Sequence, residues 1–186
     1  MIHRLPARAA LVCAVASATL AGLPARAHVT LEWPAALAGT TYKAAFRISH
    51  GCGDSPTRQV IVEIPAGVRG ARPMPRPGWQ VAIERAVLAA PYMNHGKPVA
   101  EDVVRITWTA RTPEDMLDAA HYDEFVLQAR LPEAAGTLHW PVRQVCVQGR
   151  HDWVQVPGPG QKASALQSPA PALDILPAGG AGAHAH

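Results

Sequence analysis

Apolar and polar residues alternate along several short segments of the chain, and this pattern predicts β-strands. In residues 58–65, RQVIVEIP, the side chains of Val60, Val62 and Ile64 fall on one face, because successive strand residues point to opposite faces of a sheet. Similar segments cover 28–33, 42–49, 79–87, 102–110, 122–132, 136–149 (bent at Pro141) and 151–157. Many short strands separated by proline and glycine indicate an all-β fold, an antiparallel β-sandwich.

Two segments depart from this alternation. In 111–122, RTPEDMLDAAHY, Thr112 can cap a helical turn that has Pro113 at its first position and acidic residues behind it. From residue 158 onwards, glycine, proline, alanine and serine dominate. Such a segment buries too little apolar surface to offset its ordering entropy. We therefore expect a disordered tail over 158–186, in which LDIL (173–176) docks only transiently.

The first 27 residues have the features of a cleavable export signal. Arg4 and Arg8 give a basic start, residues 9–23 are almost entirely apolar, and 25–27 read Ala-Arg-Ala. The apolar stretch is shorter than the roughly 20 residues that a membrane-spanning helix needs. We expect cleavage after Ala27, a periplasmic protein without a membrane anchor in the mature chain, and a folded domain over 28–157.

Cleavage would change the charge of the protein. The chain has 17 basic and 14 acidic residues, and Arg4, Arg8 and Arg26 would leave with the signal. The mature chain then has 14 residues of each sign and a formal charge of zero. It contains no run or stripe of Lys and Arg, so we expect no nucleic-acid partner.

The same cleavage would make His28 the first residue of the mature chain, with a free α-amine beside its imidazole. The amine has an ordinary pKa of about 7.7–8.0 and the imidazole one of about 6.5, so both nitrogens are available near neutral pH. Two such nitrogens favour copper, because imidazole suits Cu²⁺ and the affinity order of divalent ions peaks there. The ordinary alternative is that cleavage simply has to leave some residue in first place.

A chelating histidine needs further ligands from elsewhere in the fold. Glu32 shares the strand face with His28 but lies four residues on, about 13 Å away at roughly 3.3 Å per residue. Most single histidines and carboxylates are ordinary surface residues. The remaining candidates are His50, His121, Asp123, Glu124, His139 and His151.

Two cysteines would remain after cleavage, Cys52 and Cys146, since Cys13 lies in the signal. In an exported protein such a pair is expected to form a disulfide. It would close a loop of 94 residues, which chain entropy values at about 4–5 kcal/mol. Two free thiols or a thiolate metal pair are the alternatives.

Several motifs in order resemble one known family. They are AHVTLE, ISHGCGDSPTRQVIVEIPAGV, RPMPRPGW, YDEFVLQARLP and PVRQVCVQGRHDWVQVP. Together they resemble the YcnI-like domain of bacterial exported proteins, in the form found in Gram-negative bacteria. The resemblance covers His28 to Pro157 and implies an immunoglobulin-like or cupredoxin-like β-sandwich. It also supports the pairing of Cys52 with Cys146.

The resemblance further implies a Cu(II) site. The amine and Nδ1 of His28 would form a histidine brace, and Trp153 would lie near the metal, with ordinary core packing as its alternative role. An indole N–H only donates, so Trp153 cannot be a normal ligand. Glu124 is the expected carboxylate ligand, and His50 is its alternative.

The expected function is that of a periplasmic Cu(II) chaperone or carrier in copper homeostasis. Its partners would be other periplasmic copper carriers or a copper transporter. Two alternatives stand beside it: a metal-free interaction module, and a copper oxygenase acting on polysaccharides, for which no clear second histidine is present. Met74, Met93 and the tail histidines His184 and His186 are secondary candidates for copper, although methionine more often fills gaps in packing.

Overall fold

The computed structural model describes residues 28–178, so the predicted signal over 1–27 and the tail histidines lie outside the described residues. The described residues form twelve strands, β1 to β12, and two short 3-10 turns, Pro113–Asp115 and Ala163–Ala165. The strands, in order, are Thr30–Leu31, Ala35–Leu37, Thr41–Ile48, Thr57–Glu63, Arg69–Pro73, Trp79–Asn94, Lys97–Ala110, Asp123–Arg130, Gly136–His139, Val142–Cys146, Arg150–Trp153 and Ala172–Leu176.

Two antiparallel sheets build the domain. One has the order β1-β3-β8-β5 and the other β11-β10-β4-β7-β6. Their inward side chains share one core, because alternate residues of each strand face it. The largest of these buried side chains include Phe46, Trp108, Phe125, Leu127 and Trp140. The predicted all-β fold is therefore confirmed, and β1 and β11 each form an edge of their sheet.

The prediction of a disordered tail over 158–186 is wrong for residues 172–176, because these residues form β12. This strand pairs in parallel with β2 and antiparallel with β9 in a third sheet. Leu173 and Ile175 alternate into the core and are buried. Burial of these two side chains and strand pairing on both sides stabilise a segment whose composition alone predicts disorder. The folded domain therefore extends beyond residue 157.

Several strand boundaries also differ from the predictions. The segment 28–33 contributes only Thr30–Leu31 to a strand, and the chain then bends before Pro34. β5 was not predicted, and β6 and β7 form a longer hairpin than expected. The helical turn over Pro113–Asp115 is confirmed: the N–H and Oγ1 of Thr112 donate to Asp115 Oδ2 over 3.1 and 2.9 Å.

A disulfide joins Cys52 to Cys146, as predicted. It ties the loop between β3 and β4 to the end of β10 across 94 residues of sequence. Both sulfurs are therefore unavailable as thiolate ligands. In the range 28–178, no helix has the length and apolar character needed to cross a bilayer.

Candidate metal centre

His28 lies just before the edge strand β1 and packs against the edge strand of the other sheet. Its imidazole meets the indole of Trp153 edge to face, with 5.2 Å between the ring centroids. Trp153 is buried in β11, opposite Val142 of β10. The contact therefore joins the two sheets along one side of the sandwich.

Two further histidines continue from this contact. His151 lies two residues before Trp153, so both side chains share a face of β11, and their ring centroids are 5.2 Å apart. The ring of His50, from the loop after β3, lies 6.3 Å from that of His151 with the planes almost perpendicular. We call His28, Trp153, His151 and His50, in this order, the ring row.

The nitrogens at the His28 end of the ring row lack partners. His28 Nε2 and Trp153 Nε1 are buried and form no hydrogen bond. A buried polar atom left unpaired costs about 1–3 kcal/mol, so such atoms call for an explanation. His28 Nδ1 also forms no hydrogen bond to a residue in the described range. It remains available next to the main-chain nitrogen of the same residue.

At the other end of the ring row, His50 is held firmly. Its Nδ1 is bonded to the carbonyl oxygen of Gly51, and since a carbonyl only accepts, Nδ1 is the donor. Its own carbonyl oxygen accepts from Nε2 of the buried Gln144 over 2.6 Å. The disulfide at Cys52 restrains the same loop. In the neutral ring the bond to Gly51 puts the lone pair on Nε2, which is the tautomer that metal-binding histidines adopt.

The charge state of His151 also suits metal binding. Burial, and then the neighbouring imidazole of His50, lowers the pKa of His151, while Asp152 partly opposes this change. The ring is therefore neutral around pH 7, the form in which imidazole binds metals.

The expected carboxylate ligand, Glu124, lies in a different set of contacts. It faces Arg47 across β3 and β8, and Arg47 Nε donates to Glu124 Oε1 over 2.8 Å. Arg47 also approaches Glu32 at 3.6 Å, and Lys43 approaches Glu32 at the same distance. Glu124 thus has a basic partner, and the structure assigns it no contact with the ring row. Its role as a ligand stays a prediction.

Among the described residues, no ring contact joins the other candidates to the ring row. His121 is exposed, His139 lies in β9 opposite Ala172, and Asp123 is paired with Arg76. Met74 and Met93 are exposed. Within 28–178, no three histidine, cysteine, aspartate or glutamate side chains are arranged to hold a metal.

From the sequence, His151 was one candidate ligand among several, and its position beside Trp153 was not predicted. A signal was present, because residues 151–153 read His-Asp-Trp and strand periodicity puts the first and third side chains on one face. The proximity of His50 had no such signal. It depends on the path of the loop at Cys52 and on the register of β10 with β4.

These features define an immunoglobulin-like β-sandwich with an imidazole-rich edge. A crystal structure of an uncharacterized protein from Nocardia farcinica, described as having an immunoglobulin-like fold, is 27% identical to this chain. The match covers 80% of this chain and 97% of that one, with a TM-score of 0.60.

The chain belongs to the family known as DUF1775, a domain of unknown function, which matches residues 28–175 and includes YcnI-like proteins. This range includes nearly all of β12, in agreement with the longer domain seen in the structure. No curated protein matches the chain.

Proposed function

We propose that this protein is a periplasmic Cu(II) carrier that binds its ion through the α-amine and Nδ1 of His28 after residues 1–27 are removed. The observation that carries the proposal is the position of His28. Its ring is fixed against Trp153, its Nε2 is buried, and its Nδ1 makes no hydrogen bond to a described residue. A ring fixed in this way loses little freedom when it binds a metal.

The donor set favours copper over harder ions. An amine and an imidazole are both nitrogen ligands, and Cu²⁺ binds such ligands most strongly among the divalent first-row ions. Trp153 would cover one side of the ion without binding it, since its N–H only donates. Shielding of this kind slows exchange with water and other ligands.

Of the two expected additional ligands, we keep Glu124 for the Cu²⁺ ion. His50 is separated from His28 in the ring row by Trp153 and His151. Glu124 would first have to give up its bond to Arg47. The resemblance to the Gram-negative YcnI-like form supports the proposal as a whole and suggests other periplasmic copper carriers or a copper transporter as partners.

Electron paramagnetic resonance of the cleaved protein with one equivalent of Cu²⁺ tests the proposal. We expect hyperfine coupling from at least two nitrogens in the chain that begins at His28. A variant with one extra alanine before His28 keeps the fold but separates the amine from the imidazole, and it should lose tight binding. His121→Asn, at an exposed position, is the matched control and should bind like the unaltered chain.

Equal Cu²⁺ affinity in the extended and unextended chains would refute chelation by His28. Absence of Cu²⁺ binding in both chains would instead favour the metal-free interaction module.

A further inference from the structure

The two imidazoles at the far end of the ring row form a separate pair. The rings of His50 and His151 are 6.3 Å apart and nearly perpendicular, at 88°. Trp153 lies between this pair and His28, in contact with both His28 and His151. We propose that His50 and His151 together bind one Cu⁺ ion, at a site distinct from the His28 chelate.

The separation of the rings fits an ion held between them. Two metal–nitrogen bonds of about 2.0 Å plus the half-width of each ring span roughly 6 Å. That sum is close to the observed distance between the centroids. For both rings to bind, one nitrogen of each must face the same ion.

His50 is prepared for this role by its surroundings. Its Nδ1–H bond to Gly51 leaves Nε2 as the free nitrogen, and a bond from the non-binding nitrogen to a main-chain carbonyl is the usual support of a metal-binding histidine. The bond from Gln144 to the His50 carbonyl and the disulfide at Cys52 fix the main chain. His151 is placed by strand β11.

The small number of ligands at this pair favours Cu⁺ over Zn²⁺. Zn²⁺ takes four ligands in structural sites and at least three from protein in catalytic ones, yet no third suitable side chain joins this pair in the described range. The nearest acidic residue in sequence, Asp152, pairs through Oδ2 with Arg150 at 3.0 Å, and its Oδ1, which has no hydrogen bond, lies 3.8 Å from Arg143 Nε. Strand alternation places this carboxylate on the opposite face of β11 from His151. A half-buried pair of neutral ligands tolerates a monocation better than a dication, and Cu⁺ is satisfied by two nitrogens in line.

This site does not depend on cleavage at Ala27 or on chelation by His28. Its ligands are both inside the folded domain, and neither uses a main-chain amine. The domain would then hold copper in two oxidation states at two places, with the indole of Trp153 between them.

Anaerobic titration of the mature protein with Cu⁺, in competition with a chromophoric Cu⁺ chelator, tests the site. We expect one Cu⁺ per chain, and a loss of affinity of at least about tenfold in His151→Asn and in His50→Gln, since even supporting residues of metal sites cost 10–100-fold. His121→Asn, which alters an exposed histidine, should leave Cu⁺ affinity unchanged. The chain with an extra alanine before His28 should also keep Cu⁺ affinity while losing tight Cu²⁺ binding.

X-ray absorption of the unaltered protein loaded with Cu⁺ measures the type and distance of the ligand atoms without any variant. Two nitrogen neighbours at about 2.0 Å are expected. Sulfur neighbours, or unchanged affinity in folded His151→Asn and His50→Gln proteins, would overturn the proposal. Loss of Cu⁺ binding in the extended chain alone would assign the ion to His28 instead. If the extended chain kept its Cu²⁺ affinity, the His28 proposal would fail, but the Cu⁺ site at His50 and His151 would not be affected. The two proposals can therefore be refuted separately.

Discussion

Replacing Leu173 by alanine tests whether β12 is a structural part of the domain. The Leu173 side chain is 0% exposed and belongs to the core cluster. Burying a leucine stabilises a fold by about 1.5–3 kcal/mol, and the cavity left by truncation adds to the loss. We therefore expect Leu173→Ala to lower the free energy of unfolding by about 3 kcal/mol, near the middle of the range of about 2–5 kcal/mol for such changes.

Leu176→Ala provides a matched control on the same strand. Leu176 is 47% exposed, so the same truncation removes much less buried surface and should cost less than about 1 kcal/mol. Urea unfolding followed by circular dichroism measures both values. In thermal unfolding, 3 kcal/mol corresponds to a decrease in Tm of roughly 6–12 °C for a domain of this size.

Equal, small losses in the two variants would refute this reasoning. They would show that β12 contributes no stability in solution and that the domain ends near residue 157, as its composition suggests. A large loss in Leu173→Ala alone would establish the third sheet as part of the folding unit.

Two further predictions follow from titratable groups. Partial burial alone would raise the pKa of Asp123, but the bonds from Arg76 and from a main-chain N–H outweigh it and lower the pKa. The ionised form of Asp123 therefore stabilises the fold above the unfolded pKa of about 4. This contribution, about 1 kcal/mol, disappears as pH falls through the lowered pKa of the folded state. In urea unfolding, Asp123→Asn should be less stable than the unaltered chain at pH 7 and equally stable near pH 2. Burial, and then the charge of Glu32, raises the pKa of Tyr42 to about 12, so stability should fall as pH rises from about 10 towards 12. Tyr42→Phe should lack this alkaline component in unfolding and in ultraviolet difference absorption, and an unchanged pH profile would contradict the assignment.

The strands that carry the core were predictable because their signal is local. Val60 and Val62 lie two residues apart on one face of β4, and the sheet buries both as strand periodicity requires. The capped turn at Thr112 was equally visible, since caps depend on neighbours within four residues. The structure bears out these parts of the fold.

β12 and the ring row were less accessible because their determinants are distant in sequence. The composition around Leu173 indicates disorder, and only its pairing with β2 and β9 reveals a strand. The bond between Glu124 and Arg47 depends on cross-strand register, which one sequence does not state. The approach of His50 to His151 likewise depends on how the sheets close.

The third sheet also constrains the order in which the molecule can be completed. Ala35 pairs with Asp174. A strand near the start of the domain therefore cannot form this pairing until a strand near its end is present. During synthesis, β2 emerges from the ribosome long before β12 exists, and closing so long a loop is slow. The nascent chain therefore carries an unpaired strand next to Glu32 and Trp33 until almost the whole domain has been made.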